Sequence, residues 1–322
     1  MLNNDNQQLN VLRPTSFDDF IGRVPEKKLL KMMIDSAKVR DDNLEHLLLY
    51  GPPGLGKTTL AMIVANEMGT NLCITAAPSI NSKSDLASIL MNLSQGDILF
   101  IDEIHRLNTT IEEFLYPVME DFMMDITMGK GLTASVVRVP LKKFTLIGAT
   151  TKISNISAPL RDRFGGLIHL DYYTDDEIEQ IISRSAQILN LTIDNAIIQS
   201  IAQRSRGTAR IANKILKIIR DYITVHTIEK LIISELDGIF DEIGIDDEGL
   251  ESMDRKILET IYVKFDSKPV SLSTLVAAIS EDKRTVEEYY EPHLIKKGFI
   301  QKTSKGRIIT DLGIKHIKKH LK

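Results

Sequence analysis

The chain has 322 residues, 43% hydrophobic and 26% charged, which is the composition of a globular protein with two or three hydrophobic cores and excludes a disordered polymer. One cysteine, Cys73, rules out an internal disulfide and a multi-cysteine metal site; with no signal pattern and no run of about eighteen apolar residues, a cytoplasmic setting is expected. The net charge of −4 argues against a polyanionic partner, but it averages over residues 298–322, where seven basic side chains face one acid, Asp311.

Up to about Tyr173, continuous apolar runs alternate with helical patterns. This is the α/β signature of a parallel sheet, and a first domain is expected over 1–174. The run HLLLY leads into GPPGLGKT at 51–58 and then TLAMIVANEM, which Gly69 ends; strand, glycine-rich loop and helix in that order make a phosphate-binding loop. Gly54 and Gly56 let the backbone N–H groups from Leu55 to Thr59 close round a triphosphate. Lys57 brings a charge to the β- and γ-phosphates, and the Thr58 hydroxyl suits Mg²⁺.

The next buried run, DILFI, ends at Asp102 and Glu103. Alone such a pair would only cap a helix. Beside a phosphate loop, Asp102 is placed to hold the magnesium and Glu103 to orient the attacking water, which favours hydrolysis. From Phe122 the residues alternate and turn at Gly129, Lys130 and Gly131, so a β-hairpin is expected with Ile126 and Met128 on one face near its tip, exposed for a partner or folded back and buried. FTLIGA, a third core strand, ends in Thr150 and Thr151; a hydroxyl there senses a γ-phosphate or merely caps, and Thr151 is the catalytic candidate. PLRDRF then sets Arg161 and Arg163 around Asp162.

Thr174 opens a helix with Glu177 three positions on, a capping box, and Ile178, Ile181 and Ile182 follow on one face. Ile197, Ile198 and Ile201 mark a second helix. Thr208 caps a third, ARIANKILKIIRDY, with Arg210 at its start and Ile211, Ile215, Ile218 and Ile219 inward. These form a small helical domain over 175–245. Over 246–322, helices at ESMDRKILETIYVKF, SLSTLVAAIS and RTVEEYYEPHLIKK precede two short β-like runs joined at Lys305 and Gly306, the pattern of a winged helix. Surface pairing is the ordinary explanation for Arg163 and Arg210, yet the transition state of phosphoryl transfer calls for cations. The seven histidines show no metal-ligand spacing.

LRP near the start, LLLYGPPGLGKTTLAMIVANEMG, LFIDEIHRL, EEFLYPVMEDF, FTLIGATT, PLRDRFG, RSRGTARIANKIL and GFIQKTSKGR stand in the order and spacing of the bacterial RuvB family, which the chain resembles from Leu12 to Arg307. The resemblance implies an AAA+ P-loop domain, a helical lid domain and a winged-helix head. It implies a hexamer around duplex DNA that docks on the junction-binding protein RuvA, with a RuvC resolvase as a further partner, and that hydrolyses ATP with Mg²⁺ to move four-way junctions. By the same resemblance Leu12, Arg13, Glu120, Asp121, Phe122 and Tyr173 lie near nucleotide. Arg163 is then a finger given to the neighbouring subunit's ATP, Arg210 a second sensor, and RuvA the partner at Ile126 and Met128.

Lys302, Lys305 and Arg307 bracket the wing's turn and are the DNA-contact candidates; Glu287, Glu288 and Glu291 on the preceding helix would repel phosphate in a groove. Charge without base-reading groups suits backbone tracking. Lys302 and Lys305 stand where the family usually has arginine, and Ala76, Ala77 and Pro78 replace its Ser-Gly-Pro. Three rivals are weaker. A protein remodeller would want an aromatic pore loop, which TAAPSINSKSD lacks; many clamp loaders carry a four-cysteine zinc module; and a DNA-binding scaffold would use its ATPase only as a switch.

Overall fold

The three apolar runs that read as buried strands lie side by side in the middle of one sheet. The computed structural model describes residues 11–128, 135–228 and 230–320. Among them, β1 (Leu47–Tyr50), β2 (Leu72–Ala76), β3 (Ile98–Asp102), β6 (Thr145–Thr150) and β7 (Gly166–His169) form a parallel sheet in the order β2-β3-β6-β1-β7. The central strands are buried almost throughout because helices cover both faces. β7 is different: it is an edge strand whose residues alternate buried and exposed, and its four residues were too short a signal to be read.

Two further strands, β4 (Met123–Met128) and β5 (Ser135–Pro140), form the expected antiparallel hairpin before β6. Met124 and Ile126 share one face. Met124 is fully buried and Ile126 is half-buried against the core of the sheet domain, so this face folds back at its base. Ile126 is therefore not freely exposed; across from it Val137 is 40% exposed. The Met128 side chain and the turn at 129–131 lie outside the described residues.

Contacts divide the chain into Met1–Ile188 with Thr208–Arg210, and Leu189–Gly207 with Ile211–Lys322. The first unit contains the sheet and α6 (Asp175–Ile188), which opens with the expected capping box: Thr174 N–H donates to Glu177 Oε2 at 2.9 Å, and Glu177 N–H to Thr174 Oγ1 at 3.2 Å.

The second unit holds both the helical segment and the head. Ile197, Ile198, Ile201 and Ile215 are buried in the former, which also has an unanticipated helix, Ile233–Glu242. Ser252–Glu259, Leu272–Ile279 and Glu291–Lys296 pack with β8 (Ile300–Thr303) and β9 (Gly306–Ile309) in the head, around Leu258, Leu275, Leu294 and Phe299. Val270 adds a bridge to Arg307, and a further helix, Asp311–His320, carries Lys315, Lys318 and Lys319 of the basic tail. Within this unit Arg206 and the fully buried Asp254 tie the helical segment to the head at 2.5 Å.

Candidate active site

Parallel strands bring all their carboxyl ends to one edge, and the strand order decides which meet. β6 lies between β1 and β3, so Thr150 and Thr151 fall between the loop that follows Tyr50 and the acids that end β3. The loop itself is built on glycines that tolerate no side chain. Gly51, Gly54 and Gly56 have φ of 141°, 81° and 93°, and a Cβ on Gly51 would stand 2.0 Å from the Leu170 carbonyl oxygen. A Cβ on Gly56 would meet the Phe20 ring at 3.1 Å. Such a backbone turns successive N–H groups into one concave cradle, which fits an anion at the start of α2 (Lys57–Met68).

Lys57 is 9% exposed and its Nζ donates to the Gly51 and Pro52 carbonyls, each at 2.8 Å. Burial pushes its ammonium down to about 8, with Asp102 and Glu103 pulling it up and Arg210 pushing it further down. A cation so held gains from an anionic ligand; Thr58 and Asp102, both partly open, supply the oxygen donors that a hard divalent cation takes.

Asp102 Oδ1 accepts the Glu103 N–H at 2.9 Å. Glu103 itself turns the chain at φ 53°, a left-handed conformation that costs about 1 kcal/mol or more for a residue with a side chain. The turn ends β3 and leaves the carboxylate 36% exposed. Thr150 is fully buried and bonded to His105 Nδ1 at 2.9 Å, whereas Thr151 is only half-buried.

The amino-terminal segment lies along α2. The Leu12 carbonyl accepts Arg184 at 3.0 Å, Arg13 reaches Met62 Sδ at 3.8 Å, and Asn66 donates to the Thr15 carbonyl at 3.0 Å. Tyr173 is buried, its hydroxyl donating to the Leu55 carbonyl at 3.3 Å with the Arg23 guanidinium 4.3 Å over its ring. Arg210 is exposed, its N–H 3.4 Å from the Gly54 carbonyl. Phe20 and His105 also line this edge; neither has a sequence signal beyond its neighbourhood to a motif.

The remaining candidates lie at the opposite edge. Phe122 packs 6.1 Å from His46, the residue before β1, and the Gly166 N–H donates to the His46 carbonyl at 3.2 Å. Glu120 and Asp121 precede Phe122, and Arg163 pairs with Glu120 at 3.2 Å while lying 4.3 Å over the Tyr116 ring. Within one chain, Arg163, Glu120, Asp121 and Phe122 are thus separated from Lys57 by the length of the sheet.

The wing departs from expectation. Arg307 is 8% exposed and turned inward, giving Glu291 two hydrogen bonds of 3.2 and 2.8 Å. Its backbone pairing with Val270 and the buried Glu291 hold it there, so it is an internal ion pair and not a free cation for phosphate. Lys302 is half exposed, 3.7 Å from Glu287 and 3.9 Å from Glu291, and Lys305 is exposed at the turn. Elsewhere, ligand atoms of Asp246, Asp247, His316 and His320 come within 4.8 Å of one another. Arg255 and Lys319 already pair with these carboxylates, so the group is an ion-pair network as it stands.

Residues 12–170 match the Holliday junction DNA helicase RuvB P-loop domain, 173–246 the RuvB AAA lid domain and 247–318 the RuvB C-terminal winged helix domain. The Holliday junction branch migration complex subunit RuvB of Kosmotoga olearia is 48% identical over 97% of this chain and 92% of its own. That of Fusobacterium nucleatum is 49% identical over 96% and 93%. A solved structure, the Thermotoga maritima RuvB Holliday junction branch migration motor, aligns with a TM-score of 0.86 at 44% identity, covering 96% of this chain and 98% of the other.

Proposed function

The chain belongs to the RuvB family, and from that premise we propose how its residues serve an ATP-driven motor of Holliday junction branch migration. The observation that carries the reading is the meeting of Lys57, Asp102, Glu103, Thr150 and Thr151 at the ends of three adjacent strands. The loop from Gly54 to Thr59 cradles the phosphates of ATP, and Lys57 neutralises the β- and γ-phosphates. Thr58 and Asp102 would hold Mg²⁺, which would draw charge from the phosphate oxygens. Glu103 orients and polarises the attacking water, and Thr151 senses the γ-phosphate. Leu12, Arg13 and Tyr173 flank the nucleotide, and Arg210 approaches it from the lid.

In the cytoplasm the working form is a hexameric ring on duplex DNA. Arg163, with Glu120, Asp121 and Phe122 around it, faces the ATP of the adjoining subunit. RuvA binds the β4–β5 hairpin near Ile126 and Met128 and delivers the ring to four-way junctions, where a RuvC resolvase can follow. Lys302 and Lys305 track the DNA backbone.

A synthetic four-way junction with RuvA tests the reading. ATP-dependent conversion to separated duplexes by the wild-type chain, absent in Glu103→Gln, is the expected result. ATP hydrolysis without any movement of the junction would favour the scaffold with a switch ATPase.

A further inference from the structure

Glu103 carries three rotatable side-chain bonds at a partly open strand end, so its carboxylate needs a partner if it is to face one way. Two residues on, the His105 side chain is 4% exposed, and its ring nitrogens look in opposite directions. Nε2 lies 3.6 Å from Glu103 Oε2, and Nδ1 lies 2.9 Å from Thr150 Oγ1. Thr150 is itself buried at the end of β6, and its Oγ1 accepts the Lys152 N–H at 2.8 Å. The Lys152 amide can only donate, so among the described residues the imidazole is the partner to which this buried hydroxyl gives its hydrogen. An imidazole accepting at Nδ1 is neutral and carries its proton on Nε2, the nitrogen that faces Glu103. The donors then run one way, from the Lys152 amide through Thr150 to His105, whose Nε2 stands just beyond hydrogen-bonding distance of the carboxylate at 3.6 Å.

We propose that His105 is a positioning residue for ATP hydrolysis. A small turn of the Glu103 carboxylate closes the 3.6 Å gap, and the His105 Nε2–H then holds Oε2, which fixes the rotation of the carboxylate and leaves the other oxygen for the attacking water. Its Nδ1 rests on Thr150, which ties that rotation to the strand end that continues into Thr151. Movement of residues 150–152 is thereby passed to Glu103 without any contact between His105 and the phosphates. The inference rests on the reading of Glu103 as the water-orienting group.

The test uses the full chain with duplex DNA. Steady-state kcat and KM for ATP, affinity for a fluorescent, slowly hydrolysed ATP analogue, and thermal melting are measured for His105→Ala, His105→Gln, His105→Asn and Glu103→Gln. The Gln amide reaches the place of Nε2; the shorter Asn amide reaches only the place of Nδ1. His105→Ala is expected to lower kcat by about tenfold to a hundredfold, as a misplaced catalytic group does, with analogue affinity within about twofold of wild type. His105→Gln should recover most of that loss and His105→Asn should not.

Normal turnover by His105→Ala overturns the proposal. So does equal loss in the Gln and Asn variants at unchanged melting, which assigns His105 to packing alone. Should the Ala variant fail to fold, the Gln and Asn pair decides by the same criterion. Normal turnover by Glu103→Gln removes the reading of Glu103 itself, whereas an inactive Glu103→Gln beside a normal His105→Ala removes only His105.

Discussion

Lys57 was legible from the loop pattern, but its state of charge was not, because burial is a property of the fold. Its ammonium is held down from 10.5 to about 8, chiefly by desolvation. The folded chain therefore binds fewer protons than the unfolded one between those values, so the cost of burying the charge is full below about pH 8 and fades as pH rises towards 10.5. A bound triphosphate favours the ammonium and reverses that depression. Nucleotide binding is then expected to take up about one proton per site at pH 9 and almost none at pH 7, with affinity falling by up to about tenfold per pH unit above 8. Calorimetric titrations in buffers of different ionisation heat measure this directly; binding at pH 9 with no proton uptake would contradict it. The two threonines make the same point about legibility. An extended run turns adjacent residues opposite ways, so only one of Thr150 and Thr151 can turn into the core; the sequence does not say which, nor that β6 ends at Thr150. Packing against His105 selects Thr150 and leaves Thr151 nearer the open edge.

Central strands were readable because burial on both faces writes a continuous apolar run; β7, half-exposed at the edge, writes none. The wing shows where reading by element fails. Glu291 and Arg307 are sixteen residues apart, and the helix that was expected to repel phosphate instead neutralises the wing's arginine. Removing one partner of such a buried pair leaves the other charge unmatched, which costs about 3–5 kcal/mol. Arg307→Ala should accordingly lower the melting temperature of the head, while Arg307→Met, which fills space without charge, leaves Glu291 only the half-exposed Lys302 at 3.9 Å and should not restore it. Lys302→Ala with Lys305→Ala should leave the fold intact and flatten the salt dependence of duplex binding by about 0.9 to 1.8 in the log–log slope, the lower figure applying if Glu287 and Glu291 already hold Lys302. Fluorescence titrations of duplex over a range of salt give the slope. An unchanged slope would move the DNA path off the wing.

At the scale of the whole molecule, the placement of Arg163 is the fact that a single chain leaves without a use. It sits at the edge of the sheet opposite Lys57, beside Glu120, and its approach to β7 is fixed by the pairing of Gly166 with the start of β1. In the proposed ring each subunit offers one face to the next and receives a different one, so an arginine far from its own loop would complete a neighbour's. Its partners in its own chain are modest: the ion pair with Glu120, which is 56% exposed, is worth about 1 kcal/mol or less, and the guanidinium also lies over the Tyr116 ring and donates to the Pro159 carbonyl at 2.6 Å. Arg163→Ala is therefore expected to melt close to wild type and to bind nucleotide, yet to hydrolyse poorly. Mixing separates action within a chain from action between chains. If Arg163 serves its neighbour, mutant subunits silence wild-type sites, and activity in an equimolar mixture falls well below about half of the wild-type rate. A control with Lys57→Ala, whose defect lies in its own loop, shows how much of the fall comes from an idle subunit alone. Activity that tracks the wild-type fraction in a straight line, under conditions where the ring is assembled on DNA, would place the function of Arg163 within its own chain and remove the finger.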